Sequence, residues 1–366
     1  MSFLAAYRDR EHALQLAEAI KSLASKLPPL KIMHVCGTHE WTITHFGLRS
    51  LLPGSVEVRA GPGCPVCITP ASEIDLAAQL ALDNEDVILT TFGDVLRVPG
   101  SKLSLAYARS QGADIRVVYS VADSVKLALK NPRKEIVHFA IGFETTAPST
   151  AAEILQGPPE NFSIICSHRL IPPVMDYLLS SGEVDLQGFI CPGHVSTIIG
   201  VKPYLPLAEK HGVPMVIAGF EPIDVLIAVN MILLQLLRGE HRVENEYTRA
   251  VKYEGNVIAL DIMWRVFTAK DSRWRGIGSV PSSGLQLKGE YRSYDALKKF
   301  NKSLPSDEAM PPGCRCGDVL KGLIYPEECP LFGERCTPST PVGPCMVSIE
   351  GSCAIAFKHG VRRKRN

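Results

Sequence analysis

The sequence predicts an α/β fold built on parallel sheets, followed by a loop-rich C-terminal region. Short runs rich in β-branched residues alternate with helical stretches between about residues 30 and 220. This alternation is typical of parallel strands that are covered by helices on both sheet faces. The 366 residues are 46% hydrophobic, enough for two or three domains with cores of their own. Beyond about residue 310, Pro, Gly and Cys dominate, so something other than a hydrophobic core must order that region.

The predicted elements follow one another in a regular order. Residues 9–27 carry Leu16, Ile20 and Leu23 at helical spacing, and Pro28 ends this helix. The predicted strands are 31–35, 87–89, 115–119, 136–141, 163–166, 188–191 and 214–218, and the main helices between them are 72–82, 121–130, 147–155 and 174–179. The apolar stretch 225–237 is too short to span a membrane, so we expect a buried helix there.

Composition and charge argue against several classes of function. A formal net charge of +1 argues against a large binding surface for nucleic acid or anionic membrane, and the basic run 362–365 is expected to be a solvated tail. The first residues lack a basic segment followed by an apolar run, so no secretory signal is expected. Eleven cysteines then indicate a reducing, cytoplasmic setting and favour metal binding or redox chemistry over a disulfide framework.

Six cysteines are concentrated in the C-terminal region. Four of them follow the spacing C-x12-C-x6-C-x16-C, with two more nearby: Cys316, Cys329, Cys336 and Cys353, then Cys314 and Cys345. Metal ligands spread over such a segment would staple it, because metal binding then contributes folding free energy. The spacing leaves an iron–sulfur cluster and a zinc ion equally open, since zinc sites favour tight cysteine pairs and clusters accept wider spacing.

Cys36 is the first candidate residue of a second site. It ends a predicted strand and precedes a turn that contains Thr38, His39 and Glu40. Side chains at the carboxyl end of a parallel strand face the crevice where α/β proteins bind ligands. The helix that follows is expected to favour a thiolate at its N-terminus. A buried structural cysteine is the alternative, but the polar turn favours a functional role.

Cys64 and Cys67 form a C-x-x-C pair within the run GPGCPVC at 61–67. Two thiols at this spacing can close into a disulfide or share a metal, and the rigid flanking residues are expected to leave the sulfurs accessible. Weaker candidates are Asp94, Glu144, Cys191 and His194 at other strand ends, with Cys166 expected inside a strand. For Asp94 and Glu144, the alternative is a cap on the following helix.

These motifs resemble the HypD family of [NiFe] hydrogenase maturation proteins. The matching segments are HVCGTHE (34–40), GPGCPVC (61–67), FGD (92–94) continuing to RVPGS (97–101), GFETTAP (142–148), CPGHVS (191–196) and PVGPCMVS (341–348). The C-terminal cysteine spacing also matches the family, and the resemblance extends from about residue 31 to residue 357. It implies two similar parallel-sheet α/β domains plus a C-terminal iron–sulfur domain, which agrees with the echo of residues 140–144 in residues 217–221.

The resemblance also implies ligands and partners. A [4Fe–4S] cluster would be held by the four spaced cysteines, Cys316, Cys329, Cys336 and Cys353. Cys36 would ligate an Fe(II) that receives cyanide and carbon monoxide, with Cys64 and Cys67 as a redox pair or as further ligands. His39 and Glu40 would supply hydrogen bonds or handle protons around that iron. In this family HypC shares the iron, and HypE delivers cyanide made with HypF.

The expected domains are residues 30–118, residues 119–220, and a helical and cluster domain formed by 1–29 with 221–366. The leading hypothesis is a scaffold that assembles an Fe(CN)2CO group with HypC, and whether it turns over as an enzyme stays open. One rival is an iron–sulfur-dependent thiol–disulfide oxidoreductase, which needs no iron at Cys36. Another is a zinc-stapled interaction module, which needs no iron anywhere.

Overall fold

Two parallel sheets form the centre of the protein. The computed structural model describes residues 6–304 and 310–360. The strands, in chain order, are β1 (Leu30–His34), β2 (Val56–Ala60), β3 (Val87–Thr91), β4 (Asp114–Val117), β5 (Glu135–Gly142), β6 (Phe162–His168), β7 (Gly188–Pro192), β8 (Met215–Ala218), β9 (Val243–Asn245), β10 (Phe267–Trp274) and β11 (Gly278–Leu287).

Helices connect these strands and cover the sheet faces. The α-helices of the described residues are α1 (Arg10–Ala24), α2 (Gly37–His45), α3 (Pro65–Ile68), α4 (Ala71–Asp83), α5 (Leu105–Ser110), α6 (Val121–Lys130), α7 (Ala147–Leu155), α8 (Ile171–Ser181), α9 (Gly193–Ile199), α10 (Leu205–His211), α11 (Pro222–Arg238), α12 (Val257–Val266), α13 (Ala296–Lys299), α14 (Cys316–Leu320) and α15 (Ser352–His359). Each helix and strand predicted from the sequence is present, with boundaries that differ by a few residues.

Both main sheets are entirely parallel, which confirms the predicted α/β class. The first sheet has the order β2-β1-β7-β8-β9 and the second β4-β3-β5-β6. His34 of β1 lies opposite Ala60 of β2 and Ile190 of β7, so the carboxyl ends of these three strands share one edge. The antiparallel hairpin β10–β11 was not predicted from the sequence.

The grouping of the strands differs from their order along the chain. β1 and β2 belong to the first sheet, β3 to β6 build the second, and β7 to β9 return to the first. The expected ranges 30–118 and 119–220 therefore each contribute strands to both sheets. A short β-branched run identifies a strand but does not encode its neighbours, because pairing depends on residues far away in the chain.

The apolar stretch at 225–237 forms the buried helix α11, as expected. Ile232 and Leu233 are fully buried, and α1 packs along this helix through Ile20. Glu221 and Asp224 form a capping box at the start of α11, which satisfies N–H groups that the first turn leaves unpaired. Within residues 6–304 and 310–360, no helix combines the length and the apolar character needed to cross a membrane.

Residues 310–360 have little regular structure and lie against the helices that follow the N-terminal cysteines. Helix α15 packs on α2, and the 3₁₀ turn Pro344–Met346 packs on α3. This agrees with the expectation that the region lacks an extensive core of its own. The predicted tail at 362–365 lies outside the described residues.

Candidate metal and redox centre

Three of the candidate cysteines lie near the same edge of the first sheet, where its strands have their carboxyl ends. Cys36 lies two residues beyond the end of β1, Cys64 lies in the loop after β2, and Cys191 is within β7. β1 lies between the other two strands, so Cys36 is central. Gly63 packs so closely that a Cβ at this position would overlap the backbone of Cys36. The C-x-x-C loop and Cys36 are therefore direct neighbours.

The Cys36 thiol occupies the N-terminus of α2 but is not set up as a free thiolate. Its side chain is 8% exposed, and burial raises its pKa to about 11. The backbone N–H of His39 lowers the pKa, whereas the carboxylate of Glu350 raises it. The backbone N–H groups at the start of the helix favour a thiolate, as expected, but the cost of burying the charge outweighs them, so the thiol form is retained.

His39 is a neutral, fully buried histidine. Its Nε2–H donates to the carbonyl of Gly219 at 2.8 Å, which fixes the tautomer. Burial and the nearby His34 lower the pKa of His39 to about 3. Its Nδ1 is buried and has no hydrogen-bond partner among the described residues. His39 can therefore accept a hydrogen bond through Nδ1, and it carries no charge at neutral pH.

Glu40 is committed to a buried network on the first turns of α2. Its carboxylate accepts hydrogen bonds from His34 at 2.7 Å, from Thr44 at 2.9 Å and from both terminal nitrogens of Arg49 at 2.6 and 3.0 Å. Burial acts to raise the pKa of Glu40, but Arg49 and His34 outweigh it and lower the pKa to about 2. Glu40 is therefore an ionised anchor for the helix that follows Cys36.

Cys64 and Cys67 are joined by a disulfide. The sulfur of Cys64 also accepts the backbone N–H of Cys67 at 3.2 Å. The two residues are only 3% and 0% exposed, so the expectation of accessible sulfurs is wrong: helix α3 is enclosed between the end of β5 and the turn Pro344–Met346. The bridge therefore faces the protein interior and the C-terminal region.

The six C-terminal cysteines surround one small cavity. Its remaining lining is Leu331, Phe332, Met346 and the backbone of Gly343. All four cysteines of the predicted spacing are there and are at most 8% exposed. Cys314 and Cys345, which the sequence left unassigned, line the same cavity, and Cys345 forms a disulfide with Cys316.

The donor set of this cavity is of the kind that a [4Fe–4S] cluster uses. Burial raises the pKa of Cys353 well above its ordinary value, and Cys336 and Cys314 add to this effect because they crowd the same space. Several buried thiolates next to one another would repel each other, so a bound cluster, whose iron ions are positively charged, would stabilise these cysteines in the thiolate form. Cluster binding through Cys316 requires reduction of its bridge to Cys345. In the described ranges, no three His, Cys, Asp or Glu side chains are arranged to hold a single metal ion, so the fit of this cavity to a cluster rests on its six cysteines and not on a preformed ion site.

Comparison with known proteins identifies the family. The HypD family model, described as "Hydrogenase formation hypA family", matches residues 11–360. The chain belongs to the HypD family. The prediction of a hydrogenase maturation protein of this family is thereby confirmed.

Relatives from archaea and bacteria match over nearly their whole length. A Methanocaldococcus jannaschii protein named for hydrogenase expression and formation is 51% identical over 355 residues, covering 96% of this chain and 98% of that protein. The hydrogenase maturation factor HypD2 of Bradyrhizobium diazoefficiens is 47% identical, covering 98% and 97%. The hydrogenase maturation factor HypD of Rhodobacter capsulatus is 43% identical, covering 99% of both chains.

The HypD motif that ends in Asp94 contacts the C-terminal region. Asp94 accepts hydrogen bonds from the hydroxyl of Ser348 at 3.0 Å and from the N–H of Ile349 at 3.3 Å, so it does not simply cap a helix. The next residue along, Glu350, packs against Gly37 so tightly that a Cβ on the glycine would overlap it. Glu350 was not predicted from the sequence, where its position between Cys345 and Cys353 is the one local feature that points to it.

The remaining candidates are held by structural contacts or by burial. Glu144 accepts the N–H of Ile171 at 2.9 Å, so it caps α8 rather than the helix that directly follows it, and burial raises its pKa to about 7. Cys191 is fully buried, which raises the pKa of its thiol. The ring of His194 stacks on Phe220 at 4.0 Å.

Proposed function

We propose that this protein is the scaffold on which an iron ion receives the cyanide and carbon monoxide ligands of [NiFe] hydrogenases, in a complex with HypC. One observation carries the proposal: Cys36, the Cys64–Cys67 bridge and the six-cysteine cavity are connected by direct packing. Gly63 lies against Cys36, and α3 lies against Pro344–Met346, which lines the cavity. The residues of the proposed ligand site, the proposed electron store and the proposed cluster site are thus neighbours.

Cys36 is the proposed ligand of the iron substrate. A thiolate is a soft donor and suits an iron ion that also carries cyanide and carbon monoxide. Because burial keeps the Cys36 thiol protonated, iron binding displaces its proton. The free Nδ1 of His39 is an acceptor in the same turn, and Glu40 fixes that turn through Arg49. In this proposal His39 handles protons or hydrogen bonds, and Glu40 positions the helix.

The Cys64–Cys67 bridge is the proposed electron store. Reduction of the disulfide takes up two electrons and two protons and gives two thiols, which matches the electron pair needed when cyanide leaves a carrier thiol on HypE. A [4Fe–4S] cluster held by Cys316, Cys329, Cys336 and Cys353 supplies single electrons when bound. Cys345 belongs to the turn that packs on α3, so the cavity and the bridge share a wall.

A thiol–disulfide oxidoreductase is the second candidate. It is favoured by the bridged state of Cys64 and Cys67. The burial of Cys64 and Cys67 argues against this function, because thiol–disulfide exchange with another protein requires a sulfur that the attacking thiolate can reach. Both sulfurs here belong to residues that are at most 3% exposed. The scaffold proposal does not require that access, since electrons can arrive through the protein.

The test is anaerobic purification after co-expression with HypC, HypE and HypF, followed by iron, sulfide and zinc analysis and infrared spectroscopy. We expect cyanide and carbon monoxide bands in the wild type and in the control variant Cys166→Ala. The Cys166 thiol lies away from the site and donates a hydrogen bond to the Leu285 carbonyl, with a sulfur–oxygen distance of 3.3 Å. Cys36→Ala should lose the bands and keep the cluster iron. Cluster iron without bands in any variant would favour the oxidoreductase, and zinc in place of iron would overturn both.

A further inference from the structure

Two histidines from different parts of the chain face each other on the surface beside the candidate centre. His45 is the last residue of α2, and His359 is the last residue of α15. Their Nδ1 atoms are 3.3 Å apart. The ring centroids are 5.0 Å apart and the ring planes are nearly perpendicular, at 81°. Neither histidine lines the six-cysteine cavity.

The separation of the two nitrogens matches that of two ligands on one metal ion. Two Zn–N bonds of about 2.05 Å at a tetrahedral angle place their nitrogens about 3.3 Å apart. In the absence of an ion, the same separation allows one hydrogen bond between the two rings, with one ring N–H donating to the other ring nitrogen. A cation bound between the two Nδ1 atoms would replace that shared proton at nearly the same separation of the nitrogens.

The two rings are held in place before any ion binds. Trp41 stacks on His45 with the rings 4.4 Å apart and within 10° of parallel, and it meets His359 edge-on at 6.1 Å. Phe46 also packs on His45, with the ring centroids 4.9 Å apart and the ring planes at 89°. Fixed rings reduce the rotamer entropy that ligand binding costs. Burial, His45 and Lys358 lower the pKa of His359, which favours the neutral form that binds metals.

We propose that His45 and His359 together chelate a divalent transition-metal cation such as Zn²⁺, with water completing the coordination. Imidazole is a good ligand for these ions. The bound ion would tie the end of α2, the helix that starts after Cys36, to the end of α15, the helix that carries Cys353. This site is independent of the proposed iron chemistry and uses no cysteine.

The test is a zinc titration of the full-length, anaerobically purified protein labelled with ¹⁵N-histidine, followed by ring-nitrogen NMR. We expect the Nδ1 resonances of His45 and His359 to shift together as Zn²⁺ is added. In His359→Gln the His45 resonance should stay in place, and zinc affinity at this site should fall at least about tenfold because chelation is lost. His45→Gln should behave in the same way toward His359. His12→Gln, which removes an exposed histidine of α1, should change neither resonance.

Two results would overturn the proposal. One is zinc uptake, for instance by thiols, that moves neither ring resonance. The other is a His45 shift that persists unchanged in His359→Gln, which would mean that one histidine binds alone.

Discussion

Replacing Glu40 by Gln tests how strongly the structure behind Cys36 depends on one buried carboxylate. Glu40 is 2% exposed and is hydrogen-bonded to His34, Thr44 and Arg49. Its pKa is about 2 against an ordinary 4.5. That difference corresponds to about 3 kcal/mol of folding free energy at neutral pH. Glu40→Gln keeps the shape and removes the charge, so we expect a loss of about 3 kcal/mol at pH 7, with Arg49 deprived of its anion.

The sign of the pH dependence follows from the direction of the shift. Because folding lowers the pKa of Glu40, its stabilisation is complete above about pH 4.5 and is lost as the pH falls through about 2. About 2 kcal/mol of it should be gone by pH 3. Urea unfolding followed by circular dichroism at pH 7, 5, 4 and 3 should therefore show the wild type and the variant converging as the pH falls.

Glu57→Gln is the matched control for this experiment. Glu57 pairs with Arg59 near the surface and has a side chain that is 36% exposed, so its loss should cost less than about 1 kcal/mol. The stabilising role of the Glu40 carboxylate is refuted if Glu40→Gln loses no more stability than Glu57→Gln. It is also refuted if the gap between wild type and Glu40→Gln stays constant from pH 7 to pH 3, since the charge would then not be its source.

Three other substitutions test the packing, the buried charge and the cysteine cavity. Gly63→Ala should lower unfolding free energy by about 1–3 kcal/mol in urea titrations and weaken iron retention, because the added Cβ overlaps the Cys36 backbone. Glu144→Gln should be more stable than the wild type at pH 8 by up to about 3 kcal/mol, because the wild type loses stability as the pH rises from 4.5 through its raised pKa of about 7. Cys353→Ser should lose cluster iron and sulfide on analysis, while Cys166→Ser keeps both.

Each of the three predictions for Gly63→Ala, Glu144→Gln and Cys353→Ser has an outcome that would contradict it. Gly54→Ala is the control for Gly63→Ala, because a Cβ at Gly54 would meet no atom within 4 Å; equal stability of the two variants would show that the close approach does not matter. Parallel pH profiles of wild type and Glu144→Gln would remove Glu144 as the titrating group. A full cluster in Cys353→Ser would mean that another of the six cysteines is the ligand.

Local sequence patterns were sufficient to predict the helices and strands and to recognise the resemblance to a protein family. The helix over 9–27 and the strand before Cys36 follow from spacing and composition, because a residue's own neighbours create an amphipathic face or a β-branched run. The cysteine density after residue 310 marked a region without a core of its own. The motifs around Cys36 and Cys64 are contiguous, so they could be recognised without knowledge of the fold.

Sheet membership and the chemical state of the site were decided by tertiary structure. β1 pairs with β7 across more than 150 residues, and no local pattern encodes that pairing. Burial by distant segments keeps Cys36 protonated, encloses the Cys64–Cys67 bridge and brings Glu350 onto Gly37. The sequence thus determined which reactive groups the chain carries, whereas their protonation, access and neighbours depend on desolvation and packing, which exist only once the chain has folded.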